Sequence, residues 1–227
     1  FRPEKVAKRH GRSQRSAREN IEHLLDGTFR EYGPLVTAPS WQSQQWLREN
    51  TPTDGLIMGV GDANGDLFDA DRSRVAVVHY DYMVVAGTQG GRGHYKQDRM
   101  YGLARRFRLP LILWGEGGGG RPGISGGERA ETPKTAASAS TGSETGSAAS
   151  AIDVAGTRPP GVRVDTYTFT ELSKLSGLVP MVGLNSGRCF AGNTVLMACC
   201  DVIIAAENST IAMGGPSMIE GGGLGIY

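Results

Sequence analysis

Glycine is clustered in this chain, and four clusters lie next to apolar or helical segments: GTQGGRG at 87–93, GEGGGGRPG at 115–123, GRCFAGN at 187–193 and GGPSMIEGGGLG at 214–225. A run such as 117–120, directly after the apolar residues 111–114, costs backbone entropy. It therefore needs a reason: unusual φ/ψ, flexibility, or close approach of a ligand to peptide N–H groups. Nucleotide fingerprints fit poorly, because no G-x-G-x-x-G stands between a first strand and helix with a later acidic residue, and the G-K-[ST] of a Walker loop is absent. Ser186 in LNSGR lacks the first glycine of a G-x-S-x-G elbow. What remains is backbone chemistry. Two glycine loops from adjacent strand ends, the second opening a helix at about Ala191, could aim two N–H groups at one point, aided by the helix N-terminus. That is the geometry of an oxyanion hole, where losing one donor typically costs about 100- to 1000-fold in rate. Tight helix–strand packing with a flexible loop is the competing reading of the same spacing.

Side-chain chemistry is sparse by comparison. No Ser/His/Asp or paired-carboxylate constellation is evident, and His10, His23, His79 and His94 have no metal-ligand spacing, so no metal is expected. Cys189, Cys199 and Cys200 are odd in number and lie in apolar surroundings, which points to reduced thiols in a cytosolic type of compartment. Cys189 is read as core or loop packing, with a catalytic thiol as the alternative.

The elements that must carry these loops can be traced along the 227 residues, whose 39% apolar content supports one sizeable core. The basic opening (Arg2, Lys5, Lys8, Arg9, His10, Arg12, Arg15, Arg18) reads as a solvated helical arm, with nucleotide-phosphate contact or a targeting peptide as alternatives. Within it, SARENIEHLLD places Ile21, Leu24 and Leu25 on one face behind a Ser16–Glu19 capping box. GLIMGVGDANGDL predicts a strand and turn, and RVAVVHYDYMVVAG one or two further strands. A helix with Met100, Leu103, Ala104 and Phe107 on one face then runs to Pro110 and an apolar strand. The pattern repeats, with Phe169, Leu172 and Leu175 on a helix and a strand over 179–184, then a third helix, a strand through Val202, Ile203 and Ile204, and a short strand near Ile211. This is an α/β arrangement with ligand loops at strand ends. Residues 126–161 are Ala-, Ser-, Thr- and Gly-rich and read as a disordered surface insertion within one domain. The chain opens on Phe1, as an excerpt of a longer polypeptide would. A net charge of +1 gives no reason to expect nucleic acid, and no segment approaches the ~20 apolar residues of a membrane helix.

AGNTVLMACCDVIIAAENSTIAMGG resembles the signature of the crotonase superfamily. More particularly, AGTQGGRGHYKQDRMYGLARRFRLPLILWGEGGGGRPG, LSGLVPMVGLNSGRCFAGN and MGGPSMIEGGGLG resemble, in order, the N-terminal half of the carboxyltransferase component of biotin-dependent acyl-CoA carboxylases, as does the helical opening. The resemblance implies a crotonase-like spiral of repeated β-β-α units with an N-terminal helical arm. The arm and its connection would occupy 1–50 and the crotonase-like domain 51–227, without the family's second, C-terminal domain. The family's S-G-G-A-R loop falls on 117–121 and its C-A-G-G-A loop on 189–193. This implies oxyanion donors at Gly119, Gly120, Ala191 and Gly192, and substrate contacts at Gly117, Gly118, Arg121, Phe190, Gly87, Thr88 and Gly90. Gly120 replaces an Ala, Ala191 the first of two Gly and Phe190 a small residue, which bears on acyl-pocket size.

The implied reaction moves a carboxyl group from carboxybiotin on a carrier to the α-carbon of an acyl-CoA through an enolate held by N–H groups, with ATP needed only at a partner biotin carboxylase. Implied partners are the biotin carboxyl carrier and biotin carboxylase domains or subunits and further copies of the chain, with the active site at a subunit interface. The implied location is cytoplasmic, or the mitochondrial matrix in a eukaryote. Glu116 and Glu220 are read as loop-fixing acceptors rather than bases, and Arg121 as a partner for one of them, for a substrate carboxylate or for a CoA phosphate. A stand-alone crotonase-like hydratase, isomerase or decarboxylase and a non-catalytic assembly module are the rival readings.

Overall fold

The computed structural model describes residues 2–38, 53–120 and 168–215. The expected insertion at 126–161, Arg121 and Glu220 lie outside the described residues.

Two short helices open the chain, α1 (Arg2–His10) and α2 (Ala17–Leu24). Ser16 caps α2 by the reciprocal bonds its spacing predicts: its Oγ accepts from the Glu19 N–H, and a Glu19 carboxylate oxygen accepts from the Ser16 N–H at 2.7 Å. β1 (Phe29–Glu31) and β2 (Leu56–Asp62) follow and pair antiparallel, Phe29 opposite Gly61 and Glu31 opposite Gly59. The strand β1 was not evident from sequence, yet it explains the two glycines of β2. A Cβ at Gly59 would strike the Phe29 ring and the Arg30 carbonyl, and one at Gly61 the Thr28 carbonyl.

A single turn, α3 (Ala70–Ser73), leads into β3 (Arg74–Tyr80). The second strand allowed for after β3 does not form. Residues Val85–Gly87 make a 3₁₀ turn instead, with Val85 and Ala86 at positive φ. α4 (Gly91–Phe107) then delivers β4 (Leu111–Trp114). Met100 and Ala104 on its apolar face are buried as expected, whereas Phe107 in the last turn is 61% exposed. The helix stops at Arg108, in the left-handed region just before Leu109 and Pro110.

Beyond residue 167 come α5 (Thr168–Ser173), β5 (Met181–Asn185), β6 (Arg188–Phe190), α6 (Gly192–Ala198), β7 (Val202–Ala205) and β8 (Thr210–Ala212). Leu175, expected on the α5 helix, lies just past its end but is fully buried.

Six strands form one sheet in the order β1-β2-β3-β4-β5-β7, antiparallel through β3 and parallel from β3 to β7, while β6 and β8 pair parallel by themselves. Side chains alternate across a strand, so the sheet sorts its two faces by residue parity. Ala76, Val78 and Tyr80 of β3, with Leu111 and Leu113 of β4, pack against Met100, Tyr101, Leu172, Leu196 and Met197 under α4, α5 and α6. Val75, Val77 and Trp114 face the other way, against Ala17, Ile21 and Leu25 of the arm.

The parallel register puts His79 opposite Trp114, Trp114 opposite Leu184 and Leu184 opposite Ile204. The segments that leave β3, β4 and β5, carrying glycine clusters 87–93, 115–120 and 187–193, therefore all emerge from the same edge, where ligands of open α/β sheets bind.

Candidate active site

The three glycine segments are bonded to one another backbone to backbone. The Gly117 N–H donates to the Arg188 carbonyl at 2.8 Å, and the Phe190 N–H returns a bond to the Gly117 carbonyl at 2.8 Å. The Gly118 N–H donates to the Ala86 carbonyl at 3.0 Å, and the Gln89 N–H to the Gly119 carbonyl at 2.7 Å. This contact needs residues without side chains. A Cβ at Gly87, which sits at φ 63°, would strike the Glu116 carbonyl oxygen, and one at Gly117 would strike the Gly87 carbonyl oxygen and Asn193 Nδ2.

The hydrogen bonds separate the four expected oxyanion donors into two pairs. The Gly119 N–H donates to Asn193 Oδ1 at 3.0 Å and the Ala191 N–H to the Ala212 carbonyl at 3.2 Å, so both are engaged within the fold. Gly120 and Gly192 donate to no other described residue. They lie close together, because the space a Cβ would fill at Gly119, the residue before Gly120, is 3.3 Å from the Gly192 nitrogen. A Cβ at Gly120 itself meets no described atom within 4 Å, which leaves that side of the loop open.

Of the expected substrate contacts, Gly117 is buried and Gly118 exposed, while Phe190 is half-buried beside the pair. Thr88 is half-buried, its hydroxyl donating to the Val85 carbonyl at 2.7 Å, and Gly90 precedes the first turn of α4. Ala191 holds φ 50° and ψ −122°, a conformation that favours glycine, and its methyl group lies against the space left by Gly119.

Three side chains that complete the site were not singled out from sequence. Asn193 is fully buried and ties two segments together, taking the Gly119 N–H and donating from Nδ2 to the Gly87 carbonyl at 3.4 Å. Gln89 is buried with its amide beside Gly192, a Cβ there lying 3.0 Å from Oε1. Arg9, from the arm, reaches Glu116 in a buried bidentate pair at 2.9 and 2.8 Å. Its Nε donates to the Arg15 carbonyl at 2.7 Å. Glu116 is thus the loop-fixing acceptor expected of it, although its partner is Arg9.

Histidine and cysteine behave as structural residues. His79 is buried against Trp114, with ring centroids 4.8 Å apart and nearly parallel planes. Its Nδ1 lies 2.8 Å from the Tyr80 carbonyl, which can only accept, so Nδ1 carries the proton and Nε2 accepts from Asn20 Nδ2 at 3.1 Å. Burial, reinforced by the Arg9 charge, depresses its pKa to about 3, so the ring is neutral. Burial raises the Cys189 thiol to about 11, against the demand for a low pKa in a nucleophile, and the side chain packs beside Met197. Among the described residues no group of His, Cys, Asp and Glu could hold a metal, and no helix is long and apolar enough to cross a membrane.

No family model matches the chain. The fold is mixed α/β around a central sheet, and its structural neighbours have carboxyltransferase, crotonase-like folds. A single-chain, multi-domain long-chain acyl-CoA carboxylase aligns with 100% of this chain at 45% identity and a TM-score of 0.74, of which this chain spans 20%. The carboxyltransferase subunit of propionyl-CoA carboxylase from Haloferax mediterranei is 29% identical over 121 residues, covering 52% of this chain and 22% of its own length. The carboxylase YngE of Bacillus subtilis is 25% identical over 175 residues, covering 77% and 27% respectively. Homologues and structural neighbours that cover this chain are thus carboxyltransferase subunits of acyl-CoA carboxylases, and a malonate decarboxylase from Pseudomonas shares the fold at a TM-score of 0.59.

Proposed function

We propose that this chain is the acyl-CoA-binding N-terminal domain of a biotin-dependent carboxyltransferase, and that the Gly120 and Gly192 amides hold the thioester oxygen as it becomes an enolate. The observation that carries the reading is the division of labour among the loop amides. Those of Gly117, Gly118, Gly119, Phe190 and Ala191 are bonded within the fold, while Gly120 and Gly192, on adjacent loops at one sheet edge, donate to no other described residue. Fixed donors of this kind stabilise charge without reorganising when it develops. Gly119 and Ala191 would shape the pair rather than donate, and Phe190 would border the acyl group.

The chemistry also needs a proton acceptor at the α-carbon. Glu116 cannot serve while both its oxygens accept from Arg9, which disfavours a hydratase or isomerase working through that carboxylate. Carboxybiotin, presented by a carrier, would supply both the carbon dioxide and the ureido anion able to take that proton. The described residues fit that division in offering donors for the oxyanion. The biotin carrier, the biotin carboxylase, oligomeric assembly around a shared site and the 51–227 domain boundary belong to the same proposal, with Arg121 as a contact to a substrate carboxylate or CoA phosphate.

Calorimetric titration of the full-length protein with acetyl-, propionyl- and palmitoyl-CoA, with free CoA as control, tests the proposal. Affinity that depends on the acyl group, and that Gly192→Val abolishes in a folded protein, is the expected result. Equal affinity for free CoA and every thioester would sink it.

A further inference from the structure

The N-terminal arm touches all three segments of the site from behind. Lys5 Nζ donates to the Met83 carbonyl at 2.7 Å, four residues before Gly87. Arg9 holds Glu116, the residue between Gly115 and the glycine run. Gln14 Nε2 donates to the Ser186 carbonyl at 2.9 Å, immediately before Gly187. The centre of this arrangement is the ion pair. Glu116 is 2% exposed and Arg9 7%, and a Cβ at Gly187 would strike Glu116 Oε1, so the carboxylate is wedged between the loop after β4 and the loop after β5.

A buried pair of this kind is a poor source of stability, because desolvating both charges offsets most of their attraction. Its geometry is another matter. Two parallel N–H···O bonds fix the plane of the carboxylate and so the place of residue 116, four positions before Gly120. The same carboxylate abuts Gly187, five positions before Gly192. One side chain therefore sets the spacing of both unengaged amides.

We infer that Arg9 is a positioning residue for the reaction, holding Glu116 so that the Gly120 and Gly192 amides keep the separation the enolate oxygen requires. The inference rests on the oxyanion reading above. A small shift in donor position weakens a transition-state contact more than ground-state binding, because the charge it meets is fully developed only there.

The test uses the full-length protein and its carboxyl-transfer rate with acetyl-, propionyl- and palmitoyl-CoA. Arg9→Met alone strands a buried carboxylate and can unfold the domain, so the informative variant is Arg9→Met combined with Glu116→Gln, which removes both charges. The expected result is a folded protein whose kcat falls about 10- to 100-fold, with KM for the acyl-CoA changing less than about threefold, as loss of a transition-state contact requires. Arg9→Lys, which keeps the charge but not the fork, should lie between the parent and the double variant. A double variant that folds and turns over within twofold of the parent would show the pair to be merely structural. A change confined to KM would overturn the inference equally. Failure of the oxyanion reading is separately visible, because Gly192→Val would then leave acyl-CoA affinity unchanged in a protein with an intact Arg9.

Discussion

The two faces of the central sheet are closed by different means. Under α4, α5 and α6 the contacts are mainly apolar: Met100, Tyr101, Leu172, Leu196 and Met197 pack on Leu111, Leu113 and Met181, all at 0–1% exposure, with Gln97 buried between the Tyr80 and Tyr101 hydroxyls and Lys96 of α4 paired with Asp54 at 3.0 Å. Beneath the arm, a smaller apolar patch of Ala17, Ile21 and Leu25 is accompanied by buried polar groups, Arg9 with Glu116 and Asn20 with His79. Apolar packing is non-directional and tolerates adjustment, whereas hydrogen-bonded charges demand one geometry and punish its loss. One face stabilises the sheet; the other orients what leaves its edge.

That contrast can be broken most severely at Arg9. Replacing it with Met leaves Glu116 charged and buried and is expected to cost about 3–5 kcal/mol, read from the urea transition, with more than half recovered when Glu116→Gln is added. On the opposite face, Leu113→Ala should cost about 2–5 kcal/mol, and no polar compensation at a second site should restore it. A Leu113→Ala loss that a polar change at a second site restores, or a double variant as unstable as Arg9→Met, would contradict the division.

Acid sharpens the same comparison. His79 and His94 have folded pKa values of about 3 and 4, lowered chiefly by burial, against about 6.5 when unfolded. The unfolded chain therefore binds more protons below pH 6.5. The stability tied to each neutral ring is complete above that pH and declines as pH falls towards the folded value, by about 1.4 kcal/mol per unit per histidine. Asp98, raised to about 6 chiefly by burial, acts in the opposite sense, its contribution being present at low pH and lost as pH rises through 6. Two histidine protons less one from Asp98 leave about one proton from these three groups between pH 6 and 4, a slope that Asp54, also raised by burial, reduces. His79→Gln should flatten that slope, measured as urea midpoints against pH. The smallest effect is expected at Ala191, where Gly would relieve the φ 50° conformation and raise stability by about 1 kcal/mol.

Features written in local patterns were legible in the sequence. The Ser16–Glu19 box, the apolar strand 111–114 and the Val202–Ile204 strand depend on neighbours within a few positions, and each formed where its residues indicated. The three glycine clusters at 87–93, 115–120 and 187–193 likewise marked one end of the parallel strands, while most of the fourth, 214–225, lies outside the described residues. Local reading failed where a distant contact decided the outcome. Val84 and its neighbours have strand composition, but the close approach of Gly87 to Glu116 and Gly117 requires a tight turn there. Strand β1 is too short to show periodicity and exists through its pairing with β2. The partners of the site are equally remote. Arg9 and Glu116 stand 107 residues apart, and Asn193 and Gly119 stand 74 apart, so no spacing rule connects them. Sequence could name which loops carry donors. Which of those amides the fold itself engages followed only from the structure.

The most direct measurement is acyl-CoA binding to a Gly120→Val variant of the full-length protein, titrated beside the parent with each thioester and with free CoA. A Cβ at this position meets no described atom within 4 Å, so the loop can accept the change while its branches cover the Gly120 amide. If Gly120 and Gly192 hold the thioester oxygen, the variant keeps the parent's affinity for free CoA and loses the added affinity that the acyl group confers. Unchanged affinity for the thioesters in a folded variant would contradict that role.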